Sequence, residues 1–360
     1  MNIGIPKERR TFEYRVGLSP AGVEQLCQNG HHCYVEHDAG LGAGFSDLEY
    51  EQAGARVVYT AHEVFGRADL VLKIARPLLD ELQWLRPGAI ITGLLHLASA
   101  RKDKIDMLVE NQITSIAYEQ IQVDDGSLPV LRPLSQIGGR LAAQIGARLL
   151  QNNSGGKGIL LGGVAGVPPA EVVIIGAGVV GKCAARAFAS MGAHITVLDT
   201  DLSALQRVYE FDPGIVTMMS NPRNIARAVA YADIAVGAIL IHGQRPPVVI
   251  TREMIKTMKP RSVVMDLSID QGGCVETSRP TTHEHSYFTE EGIIHYCVPN
   301  IPSVVARTAT YAFLNAAFPY ILEIANKGAE AAIRDNPAIE RATNTLNGEV
   351  LHLTRLSPVE

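Results

Sequence analysis

Three glycines carry the clearest chemistry in this 360-residue chain. Gly176, Gly178 and Gly181 stand in G-x-G-x-x-G spacing directly after the β-branched run Val172–Ile175. In that pattern the first glycine allows a tight turn after a strand. The second lets backbone approach a pyrophosphate, and the third lets helix and strand pack closely. The segment Lys182–Met191 is expected to be the following helix, with Ala184, Ala185 and Ala187 small enough to lie against a sheet. Its N-terminus presents free N–H groups and the positive end of a dipole to phosphates, so Gly176, Ala177, Gly178, Val179, Val180 and Gly181 form the expected cofactor loop. A further strand, His194–Leu198, ends in Asp199. That carboxylate can accept hydrogen bonds from the adenine ribose hydroxyls and would repel a 2′-phosphate, which favours NAD over NADP. A turn of small residues serving only packing is the competing explanation, and the strand–loop–helix–strand–acid context weighs against it. The second glycine stretch, 155–166, lacks the GxxxxGK[ST] spacing of a phosphate loop and reads as a close-packed connector.

Hydride chemistry asks little of the protein beyond gripping the substrate, moving a proton and excluding water. Four polar residues are placed for such work. Arg15, in the loop after the first strand, can clamp a carboxylate with two parallel hydrogen bonds, although a lone arginine is more often a surface group. His96 ends the run IITGLLH; it titrates near neutrality and suits proton transfer, or it merely caps the strand. Asp270 and Asn300 follow the apolar runs 263–267 and 294–298, and ligands bind beyond the carboxyl ends of strands in open α/β sheets. Each has a plainer explanation as a turn residue bonded to local backbone. His283, Glu284 and His285 are adjacent but match no familiar ligand spacing, so no metal is expected. His31 and His32 read as surface residues. No G-x-S-x-G elbow supports a hydrolase.

The elements that must position these groups follow from the alternation of short β-branched runs with amphipathic stretches, which predicts βαβ units and parallel sheets. Strands are expected at Ile3–Ile5, Cys33–Glu36, Leu70–Ile74, Ile90–Leu95 and Ser115–Ala117, then at Val172–Ile175, His194–Leu198, Ile234–Ile239, Val263–Leu267 and Ile294–Cys297. Helices are expected at Pro20–Asn29, capped by Ser19, and around Leu78–Leu85, Arg101–Asn111 and Thr251–Met258. A long helix, Ser135–Gln151, reads as a spine between domains. An apolar-faced helix, Thr308–Lys327, is expected to return to the first region, and the polar residues after it have no clear assignment. No internal repeat stands out. A net charge of −5 without a basic patch argues against nucleic acid. The chain shows no signal-like N-terminus and no apolar run long enough to span a membrane. Five cysteines without CxxC spacing read as free thiols in a reducing, cytoplasmic setting.

Several blocks together resemble the alanine dehydrogenase/transhydrogenase α-subunit family. They are IGIPKE with EYRVGLSPAGVEQL, LLHLA around His96, SIAYEQIQ around Glu119, GGRLAAQIGA, LLGGVAGVPPAEVVIIGAGVVG, MGAHITVLD, DLSIDQGGCVETSRPTTH and TYAFLNAAFPYILEIA. They run through most of the chain, and the HLA and DQGGC blocks are those of the dehydrogenases. The resemblance implies an α/β fold of two Rossmann-like, doubly wound parallel-sheet domains with a cleft between them. Residues 1–130 with 305–360 would be a discontinuous substrate domain. Residues 131–304 would be the NAD-binding domain, entered by the long connecting helix. It implies a homo-hexamer acting on L-alanine, NAD and water to give pyruvate, ammonia and NADH, reversibly. By the same resemblance Arg15 holds the substrate carboxylate, His96 is the acid/base, Asp270 orients or activates water and ammonia, Asn300 lies near the nicotinamide, and Ser135 and Ile269 line the cofactor cleft.

One departure bears on activity. Where the family has LKVKEP, with a lysine beside the substrate carbonyl, this chain has LKIARP, so the expected catalytic lysine is Ala75. Lys73 is retained and, on a continuing strand, would share Ala75's face about 7 Å away, which makes it a substrate-binding candidate. Ala75 implies a slower enzyme, a different small amino or keto acid, or a catalytically weak NAD-binding regulator.

Overall fold

The computed structural model describes residues 1–241 and 244–354. The chain divides into two compact units, Met1–Leu134 with the described part of Ser303–Glu360, and Ser135–Pro302. In chain order the strands are β1 (Asn2–Ile5), β2 (His32–Glu36), β3 (Arg56–Val58), β4 (Leu70–Leu72), β5 (Ile90–Gly93) and β6 (Thr114–Ala117). The second unit contributes β7 (Glu171–Ile175), β8 (His194–Asp199), β9 (Val216–Met219), β10 (Ile234–Gly237), β11 (Val263–Asp266), β12 (Tyr287–Glu290) and β13 (Ile293–Tyr296). Two late strands, β14 (Thr343–Leu346) and β15 (Glu349–Val350), return to the first unit.

Both sheets are doubly wound. The parallel part of the first runs β3-β2-β1-β4-β5-β6, and that of the second β9-β8-β7-β10-β11-β13. Counted over the parallel strands of each unit, both follow the order 3-2-1-4-5-6, which reverses direction between the first and fourth strands and opens a crevice at their carboxyl ends. An antiparallel strand closes one edge of each: β14 on β6, extended by β15, and β12 on β13. The central strands are buried on both faces, as helix-covered parallel strands must be. Val71, Ile91, Phe65 and Leu108 meet in the first core, and Val173, Ala235, Val264 and Ala228 in the second.

The two units also share an anchoring device. Ala68-Asp69 and Ala232-Asp233 directly precede the fourth strand of each unit, which starts at Leu70 and at Ile234. Asp69 accepts the main-chain N–H of Asn2 at 2.8 Å, and Asp233 that of Glu171 at 2.9 Å. In each case the aspartate N–H donates to the carbonyl of that same first-strand residue, at 2.8 Å. Each carboxylate is paired with cations, Asp69 with Arg86 and Asp233 with Lys157 and Lys259. Local hydrophobic periodicity does not reveal a device whose signal is one acid at a strand entrance.

Helix ends follow local chemistry. The helix Pro20–Gln28 starts where the Ser19 hydroxyl accepts from the Gly22 N–H, and Gly30 leaves it at φ +83°. The helix Leu131–Leu149 begins four residues earlier than expected. It lies close over the helix Val179–Ser190 because Gly139 has no side chain; a Cβ there would sit 2.4 Å from the Val180 carbonyl oxygen. The glycine connector is close-packed too, since a Cβ on Gly156 would meet the Leu149 carbonyl oxygen at 2.0 Å. The helix Ala306–Lys327 packs within the first unit, where Arg307 donates to the Gly44 carbonyl at 2.8 Å and Tyr311 stands edge-on to Phe45. The residues without a sequence assignment form the helices Ala329–Asp335 and Pro337–Ala342 followed by β14 and β15. Among the described residues no helix is long and apolar enough to cross a membrane.

Candidate functional site

The glycine loop lies at the carboxyl end of β7, beside the strand-order reversal of the second sheet. Gly176 adopts φ +107°, and a Cβ there would lie 2.3 Å from the Ala238 carbonyl oxygen at the end of β10. A Cβ on Gly181 would lie 1.7 Å from the Gly176 carbonyl oxygen, so the loop and the helix Val179–Ser190 close only with glycine at both positions. Gly178, in contrast, has open space where a Cβ would be. That helix has no side-chain cap and no acidic residue in its first turn, which leaves its first N–H groups for an anion. Asp199, at the end of β8, accepts from the Ala177 N–H at 2.5 Å and from the Asp201 N–H at 2.8 Å. A dinucleotide fits this arrangement: Gly178, Val179 and Val180 offer main chain to a pyrophosphate, and Asp199 stands where a ribose would be read.

In the first unit the polar candidates share the carboxyl edge of the sheet. The segment after β4 departs from the sequence reading. The strand ends at Leu72 rather than Ile74, so the alternation that would align Lys73 with Ala75 stops there. The cause is Glu8, from the loop after β1. Its carboxylate accepts the N–H of Ile74 at 2.7 Å and of Ala75 at 3.2 Å, diverting both from regular ladder geometry. Lys73 turns inward, fully buried, and its Nζ donates to Glu8 and to Glu81 at 2.9 Å each. Burial disfavours the Lys73 charge, but the two carboxylates outweigh it and hold the ammonium's pKa above its ordinary value. Lys73 is thus engaged in a buried carboxylate–ammonium–carboxylate triad.

Arg15 is buried rather than on the surface. Its Nε and Nη2 donate to both oxygens of Glu13, at 2.7 and 2.6 Å, a bidentate pair that fixes the plane of the guanidinium. His96 follows β5 in a left-handed conformation, φ 45°, ψ 43°, uncommon for a residue with a side chain. Desolvation, followed by the guanidiniums of Arg76, Arg15 and Arg10, pushes the imidazole pKa down to about 3. The ring is therefore neutral near pH 7. Glu119, from the turn after β6, accepts the Leu95 N–H at 3.0 Å and the His96 N–H at 2.6 Å. Its role is legible only once the two strand ends are seen side by side.

In the second unit Asp270 is exposed on the turn Ile269–Gln271, and its Oδ2 accepts from the Asn300 N–H at 3.0 Å. Asn300 sits at φ 56°, so the two expected residues occupy one loop pair. Ile269 is buried, and Ser135 is half-buried on the helix Leu131–Leu149. The group that shapes this loop is Asp266, at the end of β11. Fully buried, it accepts from the N–H groups of Ser268, Cys274 and Val275 at 2.9–3.1 Å. Burial nevertheless raises its pKa above the ordinary carboxylate value.

Histidines elsewhere have structural roles. His31 is buried, not at the surface as expected, because the N-terminal amine and Asn326 take its two ring nitrogens, at 3.2 and 2.8 Å. His37, Asp38 and Asp47 bring potential ligand atoms within 4.8 Å of one another, where they already bond among themselves.

Fold and sites define a two-unit α/β protein with a dinucleotide fingerprint in one unit and a histidine among guanidiniums in the other. Residues 4–138 match the alanine dehydrogenase/PNT N-terminal domain model, and residues 142–353 the C-terminal one. The chain is 47% identical to an alanine dehydrogenase of Methanococcus maripaludis over 98% of its length and 95% of the relative's. It is 46% identical to an alanine dehydrogenase of Bacillus subtilis, over 98% and 93%. A solved L-alanine dehydrogenase superposes with a TM-score of 0.93 at 40% identity, covering 98% of this chain and 97% of the other. A transhydrogenase from Sinorhizobium meliloti gives a TM-score of 0.82 at 26% identity, covering 98% and 99%. The chain belongs to the alanine dehydrogenase/PNT family.

Proposed function

We propose that this protein catalyses the reversible, NAD-dependent oxidative deamination of L-alanine to pyruvate and ammonia. Its near-full-length likeness to proteins named alanine dehydrogenase carries the reading. NAD, when bound, accepts the hydride lost from the substrate's α-carbon. The main chain at Gly178, Val179 and Val180 holds its pyrophosphate, Asp199 its ribose, and Ser135 and Ile269 belong to its surroundings. Arg15, fixed by Glu13, takes the substrate carboxylate. An anion placed there offsets the guanidinium charge against His96 and raises the imidazole pKa toward the range of a working base. His96 then takes the proton released as water adds to the imine, and returns it as the carbinolamine loses ammonia. Asp270 orients that water, and Asn300, tied to Asp270 through its N–H, lies beside the nicotinamide. Lys73 acts indirectly, by holding Glu8, which holds the backbone at Ala75. A cytoplasmic homo-hexamer completes the reading; its five free thiols accord with a reducing compartment.

Ala75 favours a second reading. With no ammonium at that position, one charged contact to the substrate carbonyl is missing, which costs about 10²–10³ in rate where it acts in the transition state. A catalytically weak NAD-binding regulator, or an oxidoreductase for another small amino or keto acid, then replaces a fast alanine enzyme. NADH formation across a panel of small amino acids, with NAD binding measured by calorimetry, separates the two. Turnover highest with L-alanine supports deamination of alanine. Saturable NAD binding without turnover of alanine, or of pyruvate with ammonia and NADH, overturns it.

A further inference from the structure

We propose that Glu119 is the positioning residue for His96, its carboxylate setting the imidazole's place by accepting both the Leu95 and the His96 main-chain N–H. The geometry singles out this pair. Both carboxylate oxygens are used, Oε2 on Leu95 and Oε1 on His96. The two N–H groups are consecutive and lie where the chain leaves β5 for a left-handed turn at φ 45°. A non-glycine residue keeps such a conformation only where its surroundings over-determine it, and strain of this kind clusters at functional sites. The ring's Nδ1 lies 3.9 Å from Glu119 Oε1, beyond hydrogen-bond reach, so the carboxylate acts on the backbone under the ring and not on the ring's own proton.

This arrangement makes proton transfer depend on the ionisation of Glu119. The ionised carboxylate can accept both N–H groups, whereas protonation turns one oxygen into a donor and weakens its hold. Burial pushes the Glu119 pKa up to about 7, against the lowering effect of its N–H donors and of Arg76. The charged groups around it come from every neighbouring segment. Arg76 follows β4, and Arg10 and Arg15 come from the loop after β1 and act on His96. Lys104, on the helix Lys102–Glu110, faces Arg10, Arg76, Glu81 and Asp103 and donates to the Pro77 carbonyl. On the helix Pro337–Ala342, which packs on the Tyr118–Gln120 turn, Arg341 is held by Asp124 and the Gln122 carbonyl, and Glu340 by His352. Because the unliganded imidazole titrates far lower, an acid limb near pH 7 in kcat/KM belongs to Glu119 and not to His96.

The inference rests on the deaminase reading for its kinetic arm, and a second arm is independent of it. Glu119→Gln mimics the protonated acid, and Glu119→Asp keeps the charge on a shorter stem. Glu119→Gln is expected to lower kcat by roughly 10²-fold, as a misplaced catalytic group does. KM for NADH stays unchanged, and the acid limb near pH 7 disappears. Glu119→Asp keeps the limb and recovers part of the rate. Protection of the Leu95 and His96 amides from hydrogen exchange, taken relative to the intrinsic rate at each pH, should fall in Glu119→Gln, and in the wild type as pH falls below about 7. An acid limb that persists at the same pH in Glu119→Gln overturns the proposal. So does protection at the two amides that neither the substitution nor pH alters. If the wild type binds NADH but turns over no substrate, the deaminase reading fails and the exchange measurement alone decides the role of Glu119.

Discussion

Replacing Lys73 with methionine tests how the edge of the first sheet is held. The ammonium is fully buried and is shared by Glu8 and Glu81 at 2.9 Å each. Methionine fills similar space but leaves two buried carboxylates without a cation, and breaking a buried pair in this way costs about 3–5 kcal/mol. The sign of the pH dependence follows from Glu8. Burial already raises its pKa above the ordinary value while Lys73 lowers it, so removing Lys73 raises it further. A carboxyl whose folded pKa lies above its unfolded one binds more protons in the folded state, so stability falls as pH rises through that window. The loss in Lys73→Met is therefore largest at about pH 8 and shrinks toward about pH 5, at up to ~1.4 kcal/mol per pH unit for one such proton. Trp84, the chain's single tryptophan, ends the helix that carries Glu81, so its fluorescence follows unfolding of the first unit in denaturant. Adding Glu8→Gln and Glu81→Gln to Lys73→Met should recover much of the loss. A destabilisation below about 1 kcal/mol at pH 8, or one equal at both pH values, would refute the account of the triad.

Two substitutions probe the proposed reaction. Ala75→Lys should raise turnover of alanine by about 10²–10³ if an ammonium there completes the site. Unchanged turnover alongside intact NAD binding sinks the alanine assignment and directs the search to another substrate. Asp199→Ser should weaken NAD about tenfold, or ~1.4 kcal/mol, and bring NADP into measurable range by calorimetry. Equal NAD affinity in variant and wild type removes Asp199 from ribose recognition.

The parallel core was the most legible part of the fold, because helix-covered strands are short β-branched runs in any context. Strand ends were less so. Leu70–Ile74 was expected where β4 stops at Leu72, since the N–H groups of Ile74 and Ala75 are taken by Glu8, distant in sequence. The residues after Lys327 carry no readable strand signal because β14 is a strand by virtue of β6, not of its own sequence. Thr343, Asn344 and Thr345 are polar yet fully buried, with Thr345 bonded to Ser115 at 2.7 Å. Such a strand lacks the apolar signal that periodicity detects.

The candidate site divides along the same line. Arg15, His96, Asp199 and Asp270 could be picked out because each has chemistry to offer and follows a readable strand. Glu8 and Glu119 could not, because each acts on backbone contributed by another segment, and Asp266 could not, because it acts on the folded-back loop that follows it. All three are buried carboxylates at strand ends that accept two or more main-chain N–H groups. The physical need is general. Where parallel strands end, the ladder stops and leaves N–H groups unpaired at the place where ligands bind, and an unpaired buried N–H costs about 1–3 kcal/mol. A carboxylate can satisfy two at once and fix the turn between them. It brings a charge that burial makes unstable, which is why Glu8, Glu119 and Asp266 all have raised pKa values. The same groups that pin the reactive side chains are thereby the ones most readily neutralised, and Glu119, poised near neutrality, places that sensitivity directly beneath His96.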